Sequence, residues 1–387
     1  MLALLAPGQG SQKPGFLTPW LARPGAEARL RWWSALSGVD LVHLGTEADA
    51  EEIKDTAKTQ PLLVAAALLT AAELPLHDVA VVAGHSVGEL AASAVAGVLS
   101  PEAAVTLAGV RGREMAAACA LEPTGMSAVL GGDPDEVVAA IDAAGLFPAN
   151  RNGAGQIVAA GALSGLEKFG AEPPARAKVI KLQVAGAFHT PFMAPAEAAL
   201  ATVAAGITPG TPGKVLLSNR DGSPVADGPE MLLRLVRQVT APVRWDLCME
   251  TMAALGVTGV IELAPAGTLA GLAKRALKGI EIVTVNTPDD LVKARDAIAR
   301  HGGDPARPAA RSQDSVAISP GAGPFTPAAD LAAGTRVESG QVIGAVLTAR
   351  GPVDVAAPGA GVLTEWLARL DEPVAPGRPL ARIGGQL

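Results

Sequence analysis

The chain has 387 residues, a length that predicts two or three domains, and 49% hydrophobic against 18% charged side chains supplies a sizeable core and argues against global disorder. A formal net charge of −7 argues against nucleic acid or an anionic membrane as the main partner. Aromatics are only 3%, so packing must come from many small side chains; the two cysteines, Cys119 and Cys248, have neither CxxC nor zinc-type spacing, which fits a reducing cytoplasm without disulfides or metal.

Residues 1–7 lack a basic leading segment and run directly into glycines, so 2–6 read as a buried first strand rather than a signal peptide. The loop Pro7-Gly-Gln-Gly-Ser-Gln12 follows. Residues 61–73 read as a helix, and this apolar run is too short to span a bilayer. An apolar run at 79–83, bounded by Gly84, leads into a helical stretch over about 87–99; strand, tight turn and helix form the repeating unit of an α/β sheet. Between about 125 and 187 the pattern changes: apolar runs near 126–130, 157–161 and 179–184 alternate with helical segments near 134–144 and 163–169, which predicts an inserted βαββαβ subdomain. The α/β pattern resumes with 215–218, a helix near 230–239, then 257–263, a helix over 268–277, and 280–285. Residues 301–315 are rich in Gly, Pro and Arg without apolar periodicity and read as a linker. Beyond it, 316–387 show short Val-rich runs broken by Gly and Pro, as in small all-β domains.

Gly84-His-Ser86-Val-Gly88 matches GxSxG between a predicted strand and a predicted helix, where flanking glycines permit the sharp turn that lifts a serine hydroxyl into a cleft. An incidental serine in a Gly-rich turn is the plain alternative in a chain of 44 glycines; the strand–helix context favours the elbow. A serine nucleophile needs a base. Of five histidines, His43 and His77 lie in surface-like segments, His301 in the linker, and His85 beside the serine should point away from it, which leaves His189 in a loop after a predicted strand. An α/β-hydrolase would carry an acid and then a late histidine, with an oxyanion donor after its third strand; here the Gly-rich loop follows the first strand.

Gly8-Gln-Gly-Ser-Gln12, Gly84-His-Ser-Val-Gly-Glu89, Val110-Arg-Gly112, Gly186-Ala-Phe-His189 and Pro242-Val-Arg-Trp245 stand in the order and spacing of the malonyl-CoA:acyl carrier protein transacylases, which residues 1–300 resemble. The resemblance implies an α/β acyltransferase fold with a large α/β-hydrolase-like subdomain and an inserted ferredoxin-like one over 125–187. It implies Ser86 as the nucleophile and His189 as its base, oriented by a main-chain carbonyl near Arg244. It also implies an oxyanion hole from the N–H groups of Gln9 and Val87, and Arg111 as the clamp on the malonyl carboxylate. A planar guanidinium suits that task through two parallel hydrogen bonds, whereas Arg113 fits a solvated helix face. Phe188 resembles the bulky residue that disfavours an α-methyl branch. Gln60, Asn152 and Gln156 fall in segments similar to cleft-lining ones, with structural hydrogen bonding an equal reading. Glu89 reads as a first-turn acid on the helix dipole, without a catalytic role. Malonyl-CoA and acyl carrier protein are the implied partners, with no metal or cofactor of the enzyme's own. A serine hydrolase, a transferase for another extender unit and an inactive scaffold are the competing readings.

The last 70 residues contain a weak repeat, Val337-Glu-Ser-Gly340-Gln-Val-Ile343 and Val374-Ala-Pro-Gly377-Arg-Pro-Leu380, around Val353-Asp-Val-Ala-Ala-Pro358. This resembles the biotinyl/lipoyl carrier domain, which bears its prosthetic group on a hairpin lysine seven residues before the alanine of an Ala-Pro step. That position is Arg350, and guanidinium cannot form the amide. The resemblance therefore implies a domain without biotin or lipoate that serves in docking or oligomerisation, or simply stabilises the chain.

Overall fold

The structure, a computed structural model, describes residues 1–302, 315–329 and 331–384. These divide into two compact units, one formed by residues 1–16 and 44–304, the other by 17–43 and 305–387.

The first unit is built on a five-stranded parallel sheet, β1 (Leu2–Ala6), β2 (Val81–Gly84), β7 (Val215–Leu216), β9 (Gly259–Glu262) and β10 (Glu281–Thr284), in the order β10-β9-β1-β2-β7. Leu2 to Ala6 are buried throughout, as a central parallel strand requires. The register Ala6↔Gly84 ends β1 and β2 side by side at their carboxyl ends, where open α/β sheets hold their ligands.

The expected 61–73 helix is longer, Thr56–Ala71, because Asp55 caps it by accepting from Ala57 N–H at 2.9 Å; Pro61 lies inside it rather than at its start. It packs against the helix Pro101–Cys119, itself capped by Ser100 with proline in its first turn. A Cβ at Gly112 would lie 2.8 Å from Thr56 O, so glycine there permits the close crossing that sets Arg111 opposite Gln60.

The second sheet comprises β3 (Thr124–Gly131), β4 (Phe147–Gly153), β5 (Gln156–Ala162) and β6 (Ala177–Lys181), in the order β6-β3-β5-β4, with β8 (Val243–Arg244) added parallel to β4. The helices Pro134–Ala143 and Leu163–Ala171 complete a βαββαβ run, whose β4 the sequence pattern hid because its residues Phe-Pro-Ala-Asn-Arg-Asn-Gly carry little apolar alternation. The helix Gly228–Arg237 and the final helix Asp290–His301 belong to this unit. His301 is therefore not a linker residue: it closes that last helix and bonds Glu281 Oε2 at 2.7 Å. Gly302 caps that helix and Ser315 already begins a strand, while 303–314 of the expected linker lie outside the described residues.

In the second unit the strands are β11 (Ser315–Ile318), β12 (Gly323–Pro327), β13 (Arg336–Val337), β14 (Val342–Thr348), β15 (Gly351–Ala356), β16 (Gly361–Trp366), β17 (Pro373–Val374) and β18 (Pro379–Gly384). They form two four-stranded sheets, β11-β18-β16-β13 and β15-β14-β12-β17. Exchanging each strand for the one four places along converts one order into the other, so the sequence repeat is a structural one. Phe325, Ile343, Val346, Leu363, Leu380 and Ile383 fill the space between. Residues 17–43 cluster with these strands rather than with the other N-terminal residues: a Cβ at Gly377 would lie 1.9 Å from Ala28 O, so helix Ala26–Ser37 presses directly on the 374–380 turn.

Candidate active site

Strand β2 ends at Gly84 and the helix Gly88–Val95 begins four residues later, so Ser86 sits at the apex of the turn with φ 53°, a left-handed conformation that a serine adopts only under constraint. Gly88 makes the turn possible. A Cβ there would lie 2.2 Å from Ala6 O and 2.8 Å from Pro7 O, so the chain leaving β1 passes directly over the elbow and carries the Gln9 loop with it. Asn219, just beyond β7, holds the elbow from beneath: its Oδ1 accepts from Ser86 N–H at 2.8 Å and its Nδ2 donates to Gly84 O at 2.8 Å.

Ser86 Oγ lies 2.7 Å from His189 Nε2. His189 is buried in a turn with φ 61°, and its Nδ1 lies 2.8 Å from the main-chain oxygen of Gln238. A carbonyl can only accept, so Nδ1 carries the proton and Nε2 presents its lone pair to the hydroxyl. The orienting carbonyl is thus Gln238's, just past the helix Gly228–Arg237, and not one at Arg244; the Arg244 side chain is instead engaged by Asp246 at 2.9 Å. Burial, and then the Arg111 charge, pull the His189 imidazole down to about 3.

Arg111 is 2% exposed. Its Nη1 donates to Gln60 Oε1 at 2.6 Å, and its Nη2 to Gln238 Oε1 at 3.0 Å and to Ser86 Oγ at 3.3 Å. Its side-chain partners are two neutral amide oxygens and a hydroxyl, and no carboxylate among the described residues forms an ion pair with it. Desolvation lowers its pKa to about 10, so the guanidinium stays charged at neutral pH. The site holds a buried cation, aimed at the serine, without an anionic partner in contact.

Val87 and Gln9 present backbone N–H groups that no other described residue accepts from, one directly after the serine and one in the crossing loop. Phe188 is buried immediately before His189. Gln60 joins the Arg111 network, whereas Asn152 and Gln156 do not: His85 Nε2 meets Asn152 Oδ1 at 2.9 Å and Asn152 Nδ2 donates to Gln156 at 3.2 Å, a relay apart from the dyad. Arg113 is exposed beside Glu114, as a surface arginine should be.

Glu89 differs most from its sequence reading. It is 1% exposed and accepts from Asn219 N–H at 2.6 Å and from Gln238 Nε2, and burial pushes its carboxyl up to about 8. A first-turn acid normally faces solvent; this one faces inward because the helix Gly88–Val95 is buried almost all round. Asn219 and Gln238 had no sequence signal, since a lone amide after a strand or helix resembles any capping residue.

A strained serine paired with a neutral imidazole, next to free N–H donors and a buried cation, suits transfer of an acyl group that bears its own negative charge. The fold and this arrangement define an acyltransferase. The acyl transferase domain family matches residues 5–295. The chain is 55% identical over 296 residues to the malonyl CoA-acyl carrier protein transacylase of Mycobacterium tuberculosis H37Rv, covering 75% of this chain and 98% of that protein. The corresponding transacylase of Escherichia coli K12 is 34% identical over 308 residues, with 76% and 98% covered. A crystal structure of the Mycobacterium tuberculosis enzyme superposes with a TM-score of 0.75 over 76% of this chain and 99% of that one, at 55% identity. A malonyl-transacylase solved in complex with a type II PKS acyl-carrier protein gives 0.71 at 31% identity, over 76% and 99%. The chain belongs to the malonyl CoA-acyl carrier protein transacylase family. Among the described residues no helix is long and apolar enough to cross a membrane.

Proposed function

We propose that this protein is an [acyl-carrier-protein] S-malonyltransferase, moving malonyl from malonyl-CoA to the phosphopantetheine thiol of acyl carrier protein for fatty acid or polyketide synthesis. The observation that carries the choice of acyl group is Arg111: a buried guanidinium, 3.3 Å from Ser86 Oγ, whose side-chain partners are uncharged. A malonyl ester on Ser86 places a carboxylate one methylene beyond the reacting carbonyl, where that guanidinium can accept it as a counter-ion through paired hydrogen bonds.

Ser86 Oγ attacks the thioester carbonyl while His189 Nε2 takes the hydroxyl proton. The oxyanion is received by the Gln9 and Val87 N–H groups. Collapse of the intermediate breaks the C–S bond, and His189 returns the proton to the coenzyme A sulfur. The carrier thiol then gives its proton to His189 and attacks the malonyl ester; the ester bond breaks and Ser86 Oγ regains the proton. The Gln238 carbonyl supports the transient imidazolium in the place a carboxylate takes in a triad. Phe188, buried beside His189, limits room for an α-methyl branch.

The inserted 125–187 region belongs to the acyltransferase domain over 1–300, and 316–387 form a domain of the biotinyl/lipoyl type that carries no group. Two observations support the latter reading: the two-fold strand order, and Arg350 exposed in the turn closed by the Thr348↔Gly351 pair of the β14–β15 hairpin.

The test is transfer itself. With malonyl-CoA and holo acyl carrier protein, the mass of the carrier should rise by one malonyl group, and the Ser86→Ala protein should leave it unchanged. Release of free malonate at the same rate with or without carrier would make the protein a hydrolase instead.

A further inference from the structure

Glu89 is a buried ionisable group, close behind the dyad, that the transfer chemistry leaves unused. Each of its oxygens anchors a residue in contact with the reacting groups. Oε1 accepts from Asn219 N–H, and Asn219 in turn holds the Ser86 N–H and the Gly84 carbonyl. Oε2 accepts from Gln238 Nε2; the main chain of Gln238 orients His189 and its Oε1 receives Arg111 Nη2.

The Gln238 side chain has an acceptor and a donor at nearly equal reach, and its two neighbours demand opposite ends. Arg111 is donor-only, so it needs the oxygen. Above its raised value of about 8 Glu89 is an ionised carboxylate, acceptor-only at both oxygens, so it needs the NH2. Flipping the amide would set donor against donor at Arg111 and acceptor against acceptor at Glu89. We infer that Glu89 is a positioning residue that fixes the Gln238 amide with its oxygen toward Arg111, and thereby sets the preference of this site for an acyl group ending in a carboxylate. The inference rests on the malonyl-transfer reading.

Glu89 never touches the acyl group. It acts through Gln238 on one arm of the Arg111 fork, while Gln60 holds the other arm. Its other oxygen acts on the elbow through Asn219, and the two arms have different signatures. A loose elbow slows acylation by every thioester, whereas a misaligned guanidinium penalises only an acyl group that has a carboxylate to offer it.

Glu89→Gln separates them, because it matches the parent in volume but offers one acceptor and one donor in place of two acceptors. The comparison is of kcat/KM for malonyl-CoA and acetyl-CoA at pH 9, where Glu89 is ionised, with wild-type acylation by malonyl-CoA measured first. The ratio should fall about tenfold or more in the variant, the size of one lost hydrogen bond to a charged group. A substrate-free readout accompanies it: the Arg111 Nη–H resonances in ¹⁵N spectra, held apart by two amide oxygens, should broaden in the variant. An equal loss for both thioesters would assign Glu89 to the elbow alone and overturn the inference, as would an unchanged ratio or unchanged Arg111 resonances. If Glu89→Gln does not fold, Gln238→Met removes the same side-chain amide while keeping the main-chain carbonyl, and the same fall in ratio is expected. Wild-type protein that is not acylated by malonyl-CoA would defeat the functional reading, a result distinct from a variant that is acylated without the change in ratio.

Discussion

Gly88→Ala puts the crossing of the first loop over the elbow to a direct test. The new Cβ would lie 2.2 Å from Ala6 O and 2.8 Å from Pro7 O, where real Cβ contacts essentially never fall under 3.0 Å. The chain at 6–7 or the elbow must therefore move by about 0.8 Å, and neither is the end of a flexible side chain. Two consequences follow. Overpacking of this kind costs about 1–3 kcal/mol of stability. The Gln9 N–H moves with the loop relative to Ser86, and a displacement approaching 1 Å in a reacting constellation costs about a hundredfold in kcat. Steady-state kinetics with malonyl-CoA, run well below the melting temperature of the variant, should show the loss mainly in kcat, because the Gln9 donor meets an oxyanion that forms only in the transition state. A destabilised variant with kcat within a factor of about two of wild type would refute the placing of Gln9 in the oxyanion hole.

Arg111→Ala should lower kcat/KM for malonyl-CoA by about ten- to a hundredfold, from the loss of a charge-assisted contact of about 1.5–3 kcal/mol, while acetyl-CoA is affected far less; competition kinetics with both thioesters reads the ratio. His189 is held down to about 3, so the base should remain neutral and kcat/KM should not decline through its protonation between pH 8 and 6; a limb centred near the ordinary histidine value would contradict the burial argument. The same depressed value makes the contribution of His189 to stability fully present above about 6.5 and lost as pH falls toward 3, because the unfolded chain then binds the proton first. The melting-temperature difference between wild type and His189→Gln should shrink over that window. Arg350→Lys, co-expressed with a biotin or lipoate ligase, should give a chain that can be loaded where the parent cannot, read by intact mass; failure of both would count against the carrier-type reading of β14–β15.

The elbow was legible because its mechanics are local: a strand, two glycines and a helix start announce a strained turn in a dozen residues. The βαββαβ order was readable for the same reason. His189 came from elimination among five histidines and Arg111 from motif resemblance, since helix and loop bring them to Ser86 from 103 and 25 residues away. What stayed hidden was the layer behind them. Gln238 orients the histidine through its main chain, to which any residue type contributes equally, so no side-chain pattern marks it. Glu89 looks solvent-facing until the packing of its helix is known, and Asn219 lies 133 residues from the backbone it supports. Strand β4 escaped because a polar, proline-containing segment gains its strand character from its neighbours in the sheet rather than from its own alternation. The pairing of 17–43 with the C-terminal strands likewise follows from tertiary contact alone.

Intact mass of the protein after brief exposure to malonyl-CoA reads the malonyl ester on Ser86 itself. One added malonyl group is expected, located on the peptide containing Ser86, absent from Ser86→Ala and discharged on adding holo carrier protein. An adduct that persists in Ser86→Ala, or a wild-type protein that forms none while transferring malonyl at full rate, would contradict it.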